Sequence, residues 1–343
     1  MTMLGHIRVI DLTRDLGAYA GVLLAELGAD VAQLEQGGPV DPAELVMARR
    51  GKHDAGCAID DPALLDLIDQ ADIVLRGPEP LPATLAPDAL SARNPRLIDV
   101  AILPFEPDGP HAARPATDLT LMARSGLVAI CGDPDRPPLN MPGRQAWALA
   151  GIQGAIAALV ALNARAADGL GQQVVVSAYR SAVLANYREP LTWGWTGRVG
   201  VRTGNLLVRG KSGVQQVWRC ADGFVTWALV DNQPMMRSTV ARMAEDGMAG
   251  ALAEVDWDAI LVADVPREQL VAWETIVAAW LVTKTRAELT ALSNRHGMGL
   301  SAIDAPADVL ASAHLADRGL WRDAEIDGRT VRVPGALFAR SVA

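Results

Sequence analysis

The apolar positions of the first hundred residues fall into short β-branched runs separated by amphipathic stretches. Residues 6–12 (HIRVIDL) make one such run and predict a buried strand. Residues 17–28 (GAYAGVLLAELG) follow as a helix that ends on a glycine, and residues 30–35 (DVAQLE) make a second strand. A strand, a helix and a strand in that order imply a parallel pair. The cycle returns with a helix at 62–69 and a strand at 72–75, then a further strand at 97–103 (LIDVAIL). This alternation predicts an α/β fold with a doubly wound large domain. Proline-rich stretches at 78–87, 104–115 and 132–142 read as surface loops.

Residues 146–164 carry no charge and are about long enough to span a bilayer. They are mostly Ala and Gly, with Gln153 and Asn163 inside, so they read instead as a buried core helix. A strand at 174–177 and a helical stretch to about 191 come next. From Gly194 the texture changes. Trp193, Trp195, Trp218 and Trp227 stand among glycines, and residues 216–219 with 224–229 predict a hairpin turning at Ala221-Asp222-Gly223. Helical patterns follow at 235–244, 270–281 and 286–295. We expect a large domain at residues 1–199 and a smaller one at 200–299.

Composition narrows the function classes. Half of the 343 residues are hydrophobic and 21% are charged, which suits a globular chain with a sizeable core. A net charge of −9 argues against nucleic acid, whose phosphates need clustered Lys and Arg, and against adsorption to an anionic membrane. Cys57, Cys131 and Cys220 are sparse, odd in number and not spaced for zinc, so no metal is expected. With no apparent signal peptide, they point to a reducing, cytoplasmic setting.

The most informative stretch is residues 145–179. It ends in Arg165, Gly169, Gly171, Gln172, Val174, Val176 and Ser177, an R-x-x-x-G-x-G-Q-x-V-x-V-S pattern. Residues 4–35, Arg50-Gly51-Lys52, Pro95-Arg96-Leu97-Ile98 and Gly109-Pro110 precede it, as do Asp118-Leu119 and Ser125-Gly126-Leu127. Arg202 with Gly204-Asn205 follows, then a series from Asp308-Val309-Leu310 to Val333-Pro334-Gly335. In order and spacing the chain resembles the class III CoA-transferases, the CaiB/BaiF family, nearly end to end. The resemblance implies a Rossmann-like large domain, a small α/β domain, and a segment at 300–343 that returns to the large domain. It also implies an interlocked dimer. Coenzyme A and acyl-CoA are implied as substrate or ligand, with no permanently bound cofactor. In the family's transferases an aspartate opening the long helix attacks the donor thioester, and CoA finally passes to an acceptor carboxylate.

This chain departs from the pattern at the reacting position. Counting back from Gly171-Gln172, the aspartate falls on Trp147, whose indole cannot attack a thioester. The racemase branch pairs that aspartate with a histidine in a G-H-D-x-x-Y stretch. Here the stretch reads Ala116-Thr117-Asp118-Leu119, with Thr117 in the histidine's place. The loop that cradles CoA in the family is represented by Asp15, Leu16, Gly17 and Ala18, one residue shorter. The family's E-N-F-R-P-G motif reads Leu75-Arg76-Gly77-Pro78-Glu79-Pro80. Arg50, Lys52 and Arg76 are the cations expected to meet CoA's phosphates. Asp118 and Glu189, with Asp133 and Asp135 behind them, are carboxylates that could stand in for the missing one.

Three functional readings follow from the resemblance. The chain could be a subunit without its own nucleophile, in a homodimer or in a heterodimer with a catalytic homologue. It could be a stand-alone acyl-CoA:carboxylate CoA-transferase using a displaced carboxylate. It could be a non-catalytic binding or scaffold protein. A nicotinamide enzyme is a reading of another class, with Glu35 holding a ribose at the end of the second strand. Only Gly17 and Gly21 occur where G-x-G-x-x-G would be needed, which argues against it.

Overall fold

The computed structural model describes residues 3–34, 41–112, 114–209 and 212–335. Glu35 lies outside the described residues. The chain divides into two compact units. One comprises Met1–Ile130, Leu139–Gly200 and Ser312–Ala343, the other Cys131–Pro138 and Val201–Ala311.

The first unit is built on one sheet. Its strands are β1 (Arg8–Asp11), β2 (Asp30–Gln33), β3 (His53–Asp54), β4 (Ile73–Arg76), β5 (Ile98–Leu103) and β6 (Gln173–Ser177). They lie in the order β3-β2-β1-β4-β5-β6, and every pairing is parallel. The helices are α1 (Ala18–Glu26), α2 (Pro42–Arg49), α3 (Pro62–Asp69), α4 (Pro87–Arg93), α5 (Asp118–Arg124), α6 (Gln145–Asp168), α7 (Ala178–Ala185) and α8 (Arg188–Thr196). α2, α3 and α4 each begin on a proline, whose missing N–H costs nothing in a first turn. Asp41 and Asp61 cap the first two of them through their side chains.

Strand periodicity sorts the core into two layers. Val9, Val31, Ile73, Leu75, Ile98, Val100 and Ile102 share a cluster with Leu23 and Leu24 of α1 and the alanines of α6. Ile10, Ala32 and Val74 share another with Leu64 and Ile68 of α3 and Leu90 of α4. Alternate strand residues thus feed opposite faces, and helices cover both, as a parallel sheet requires. This is the doubly wound architecture that the alternation predicts.

The long helix differs from expectation in one respect. The sequence reads as a buried core helix, and in the fold one face of α6 is buried. Ala146, Ala150, Gly151, Gly154, Ala155, Ala158 and Ala161 form that face, against α1 and β5. The approach is close: a Cβ on Gly154 would lie 2.5 Å from Ile102 Cδ1, and one on Gly151 2.7 Å from Tyr19 Cβ. On the other face Ile152, Ile156 and Val160 stay open, Val160 at 63% exposure. Among the described residues α6 alone is long and apolar enough to cross a membrane, and its small-residue face is part of the α/β core. α8 buries no residue at all; Trp193 and Trp195 lie on it, the latter 85% exposed.

The second unit has its own core. β7 (Leu206–Arg209) and β8 (Ser212–Gln215) form a hairpin, and β9 (Val217–Cys220), β10 (Gly223–Thr226) and β11 (Ser301–Ala302) form a small antiparallel sheet. Gly223 pairs with Cys220, so the β9–β10 turn is Ala221-Asp222, one residue tighter than the sequence suggests. Helices α9 (Gln233–Glu245), α10 (Arg267–Leu281) and α11 (Arg286–His296) pack around Trp218, Trp227, Trp273 and Trp280. The indole N–H of Trp218 donates to the Trp227 carbonyl at 2.6 Å, which satisfies it inside that core. Helix α12 (Pro306–Leu310) ends this unit, while α13 (Ala313–Asp317) and the hairpin β12 (Trp321–Ile326)–β13 (Arg329–Pro334) belong to the first.

Candidate functional site

In a sheet of this order the connections from β1 and β4 diverge. α1 packs on one face and α4 on the other, leaving a crevice beyond the carboxyl ends of the two strands. The loop after β1 borders it, and the sequence candidates gather around that loop.

Its foundation is a buried ion pair. Asp11 Oδ1 accepts from the Thr13 backbone N–H at 2.9 Å and from the Thr13 hydroxyl at 2.6 Å. Lys52 Nζ reaches Asp11 Oδ2 at 2.6 Å and the Ala18 carbonyl at 2.8 Å. The side chains of Lys52 and Asp11 are 1% and 0% exposed. The pair also explains Gly21, because a Cβ there would stand 2.2 Å from Asp11 Oδ2. Gly17 takes φ 96° to turn the loop into α1, a conformation open to glycine at little cost. A cavity of about 70 Å³ adjoins Lys52, lined also by Gln33, Leu34, Arg49, His53 and Asp54.

The other expected cations are paired as well. Arg76 on β4 binds Asp99 on β5 in a bidentate pair through one guanidinium edge, Nε to Oδ1 at 2.5 Å and Nη2 to Oδ2 at 2.7 Å, and both side chains are nearly buried. Arg50 holds Glu26 and the carbonyl of Pro334. Asp15 pairs with Arg144, which also binds Glu44 at 2.6 Å. Arg144 is the residue before α6, so this network ties the loop, α2 and the start of the long helix together.

Trp147 lies in the first turn of α6, half-buried against the large core. Its backbone N–H donates to Asp118 Oδ1 at 3.0 Å, and its buried indole N–H has no hydrogen-bond partner. Asp118 therefore satisfies one of the open N–H groups at the start of α6. Thr117 caps α5 in a reciprocal box with Thr120, a structural use of the position where a histidine was sought.

The remaining carboxylates lie elsewhere. Glu189 sits in the first turn of α8 with Oε2 buried and unpartnered, and Arg198 is 4.0 Å from its Oε1. Asp133 and Asp135 belong to the second unit, where the Asp133 carbonyl accepts from Arg202 Nε at 3.1 Å. One residue was not singled out by sequence reasoning. Glu79, in the loop after β4, has Oε2 buried without a hydrogen-bond partner. Burial pushes its carboxyl up, its own backbone N–H and Arg14 oppose that, and Asp15 and Asp11 reinforce it. The available signal was its place in Gly77-Pro78-Glu79-Pro80, where flanking prolines hold the chain out of regular structure just past a strand.

The model of CoA-transferase family III matches residues 4–342. The chain belongs to that family. It is similar to subunit BbsE of succinyl-CoA:(R)-benzylsuccinate CoA-transferase from Thauera aromatica, 26% identical over 96% of this chain and 86% of that one. It is also similar to succinate–glutarate CoA-transferase from Agrobacterium fabrum, 28% identical over 97% of this chain and 87% of the other. In fold it resembles a CaiB/BaiF family protein from Brucella suis, with a TM-score of 0.79 at 24% identity, covering 92% of this chain and 88% of that one. Within this CoA-transferase family III fold, the structure joins the loop Asp15–Ala18 to Lys52 and to Arg144 before α6, and separately joins Asp118 to Trp147 in the first turn of that helix. It leaves Glu189 on α8 and Asp133 and Asp135 in the second unit.

Proposed function

We propose that the chain is an acyl-CoA-handling subunit of a CoA-transferase that lacks its own nucleophile and works beside a homologous, aspartate-bearing chain. The observation that carries this reading is Trp147. By resemblance its position is that of the attacking carboxylate, and Trp147 packs half-buried against the core of the first unit. Asp118, the nearest substitute, is engaged as an acceptor for the start of α6. A donor thioester needs a carboxylate to take its acyl group, so a partner's residue would supply it.

Uncovered apolar surface supports a partner. α8 buries nothing, and Tyr187, Leu191, Trp193 and Trp195 stand open on and beside it. The outer face of α6 and the edge strand β6 flank a groove of about 410 Å³ that includes Ile156, Val160, Val175 and Leu184. Apolar area of this extent marks an interaction surface. An interlocked dimer, with itself or with a homologue, would cover it. The relatives point the same way: one is a named subunit of a succinyl-CoA:(R)-benzylsuccinate transferase. The loop Asp15–Ala18 is the part we assign to coenzyme A, with Arg50 at its margin. Lys52 shapes that loop from within, donating to the Ala18 carbonyl while it pairs with Asp11, and Arg76 is held by Asp99 on the neighbouring strand.

Native mass spectrometry of the chain isolated from its own host tests the pairing. We expect a complex with a second chain of similar mass, and CoA exchange only when that chain is present. A homodimer that exchanges CoA unaided would overturn the proposal. It would favour a displaced carboxylate, for which the buried, unpartnered Oε2 of Glu189 is the specific observation. A homodimer that binds no acyl-CoA would leave the fold as a scaffold.

A further inference from the structure

We propose that Glu79 is a charge gate on the coenzyme A site: ionised, it repels the ligand's phosphates, and protonated, it admits them. The proposal rests on the reading of the loop Asp15–Ala18 as the part that faces coenzyme A.

Position carries the first step. Glu79 follows β4 and borders the loop after β1, at the crevice where the sheet's connections diverge. Its Oε2 folds back onto Gly77, where a Cβ would stand 2.2 Å from it. That same point is 3.5 Å from the Leu16 carbonyl, so the carboxyl overlies the loop itself. A larger residue at Gly77 would displace it.

Charge carries the second step. Four of the nearby cations are already matched, Lys52 by Asp11, Arg76 by Asp99, Arg50 by Glu26, and Arg144 by Asp15 and Glu44, and the loop's own Arg14 acts on Glu79 itself. The charged groups acting on Glu79 are Arg14 and Asp15 of the loop and Asp11 of β1. Two of those three are acidic. An ionised Glu79 adds a further negative charge beside this loop and engages Arg14, and like charges at close range repel. A protonated Glu79 removes that charge and presents an O–H that can donate to a phosphate oxygen. Burial, the largest influence on this carboxyl, shifts it upward and makes the protonated form accessible closer to neutral pH than for an exposed glutamate.

The test is calorimetric titration of coenzyme A into the intact protein, in whatever assembly it purifies, at several pH values from the ordinary glutamate range, about 4, up to about 8.5. Wild type is compared with Glu79→Gln and Glu79→Ala. The ligand's own phosphate titrates alike in all three, so differences between their profiles isolate Glu79. We expect both variants to bind about five- to tenfold more tightly than wild type at the alkaline end, and all three to converge at the acid end. Parallel profiles for the three proteins would overturn the gate and leave the coenzyme A site standing. No binding by any of them at any pH would overturn the site reading, and the gate with it.

Thermal unfolding gives a second measurement that needs no ligand. A carboxyl raised in the folded state binds its proton more tightly there than in the unfolded chain. The stability this adds is fully present below the ordinary glutamate range and is lost as pH rises through the folded value. The wild-type Tm should fall across that window relative to Glu79→Gln. Identical pH dependence would show that the charge on Glu79 is not opposed by its surroundings, and the gate would fail.

Discussion

The two ends of α6 stand in different chemical regimes. At its C-terminal end Arg165, Gly169 and Gly171 are each held by something specific. Arg165 is buried, donates to Asp72 Oδ1 at 2.7 Å and to the Arg96 carbonyl at 3.0 Å, and so pins the helix to the loops before β4 and β5. Gly169 ends the helix at φ 78°. Gly171 passes so close to the chain before β5 that a Cβ would lie 2.0 Å from the Leu97 carbonyl oxygen. At the N-terminal end α6 has no side-chain cap from its own N-cap residue, Arg144. It borrows Asp118 instead, and the Trp147 indole N–H goes unpaired. The motif at the C-terminal end fixes architecture, and the end we propose to have lost its nucleophile is the one whose groups are the less completely paired.

The sharpest way to break the comparison is Gly171→Ala. The colliding atoms are backbone and cannot rotate away, so we expect a loss upward of roughly 4 kcal/mol, read as a collapse in Tm or in soluble yield. A variant that melts near wild type would mean that the turn can shift, and the glycine would then carry no architectural meaning. Arg165→Met should cost somewhat less, about 3 kcal/mol in urea unfolding, because Asp72 loses its largely buried partner while the methionine still fills part of the space. A cost under about 1 kcal/mol would place Arg165 among the ordinary surface pairs.

The same contrast explains what the sequence could disclose. The strands of the sheet were legible because both faces are covered, which leaves compact β-branched runs such as residues 97–103 with turn residues between them. β3, with only His53 and Asp54, is too short to leave a pattern, and it is defined by its pairing to β2. The site was legible as a set of charges and illegible as a set of pairs. Lys52 and Arg76 look like phosphate ligands on the page. Their partners, Asp11 and Asp99, stand 41 and 23 residues away and meet them only because of sheet order. Glu79 is the converse case, a carboxyl whose burial and acidic neighbours outweigh the pull of Arg14, and that balance is a property of the folded neighbourhood. The outer face of α6 misled in a related way: an apolar helix in sequence reads as buried, and in the fold Ile152, Ile156 and Val160 stay open.

The smallest expected effect separates two roles for one residue. Asp118 sits in the first turn of α5, where a carboxylate favours the helix dipole, and its Oδ1 accepts from Trp147 at the start of α6. Asp118→Ala removes both contributions and should cost about 1–2 kcal/mol. Asp118→Asn keeps an acceptor and loses only the charge, so it should recover most of that stability. CoA exchange by the assembled enzyme should follow the same order, with Asn close to wild type and Ala reduced only as far as the start of α6 loosens. If Asn instead abolishes exchange while leaving Tm unchanged, the carboxylate is reacting and not merely capping. The two ends of α6 would then both be functional, and the stand-alone transferase would become the better account of this chain.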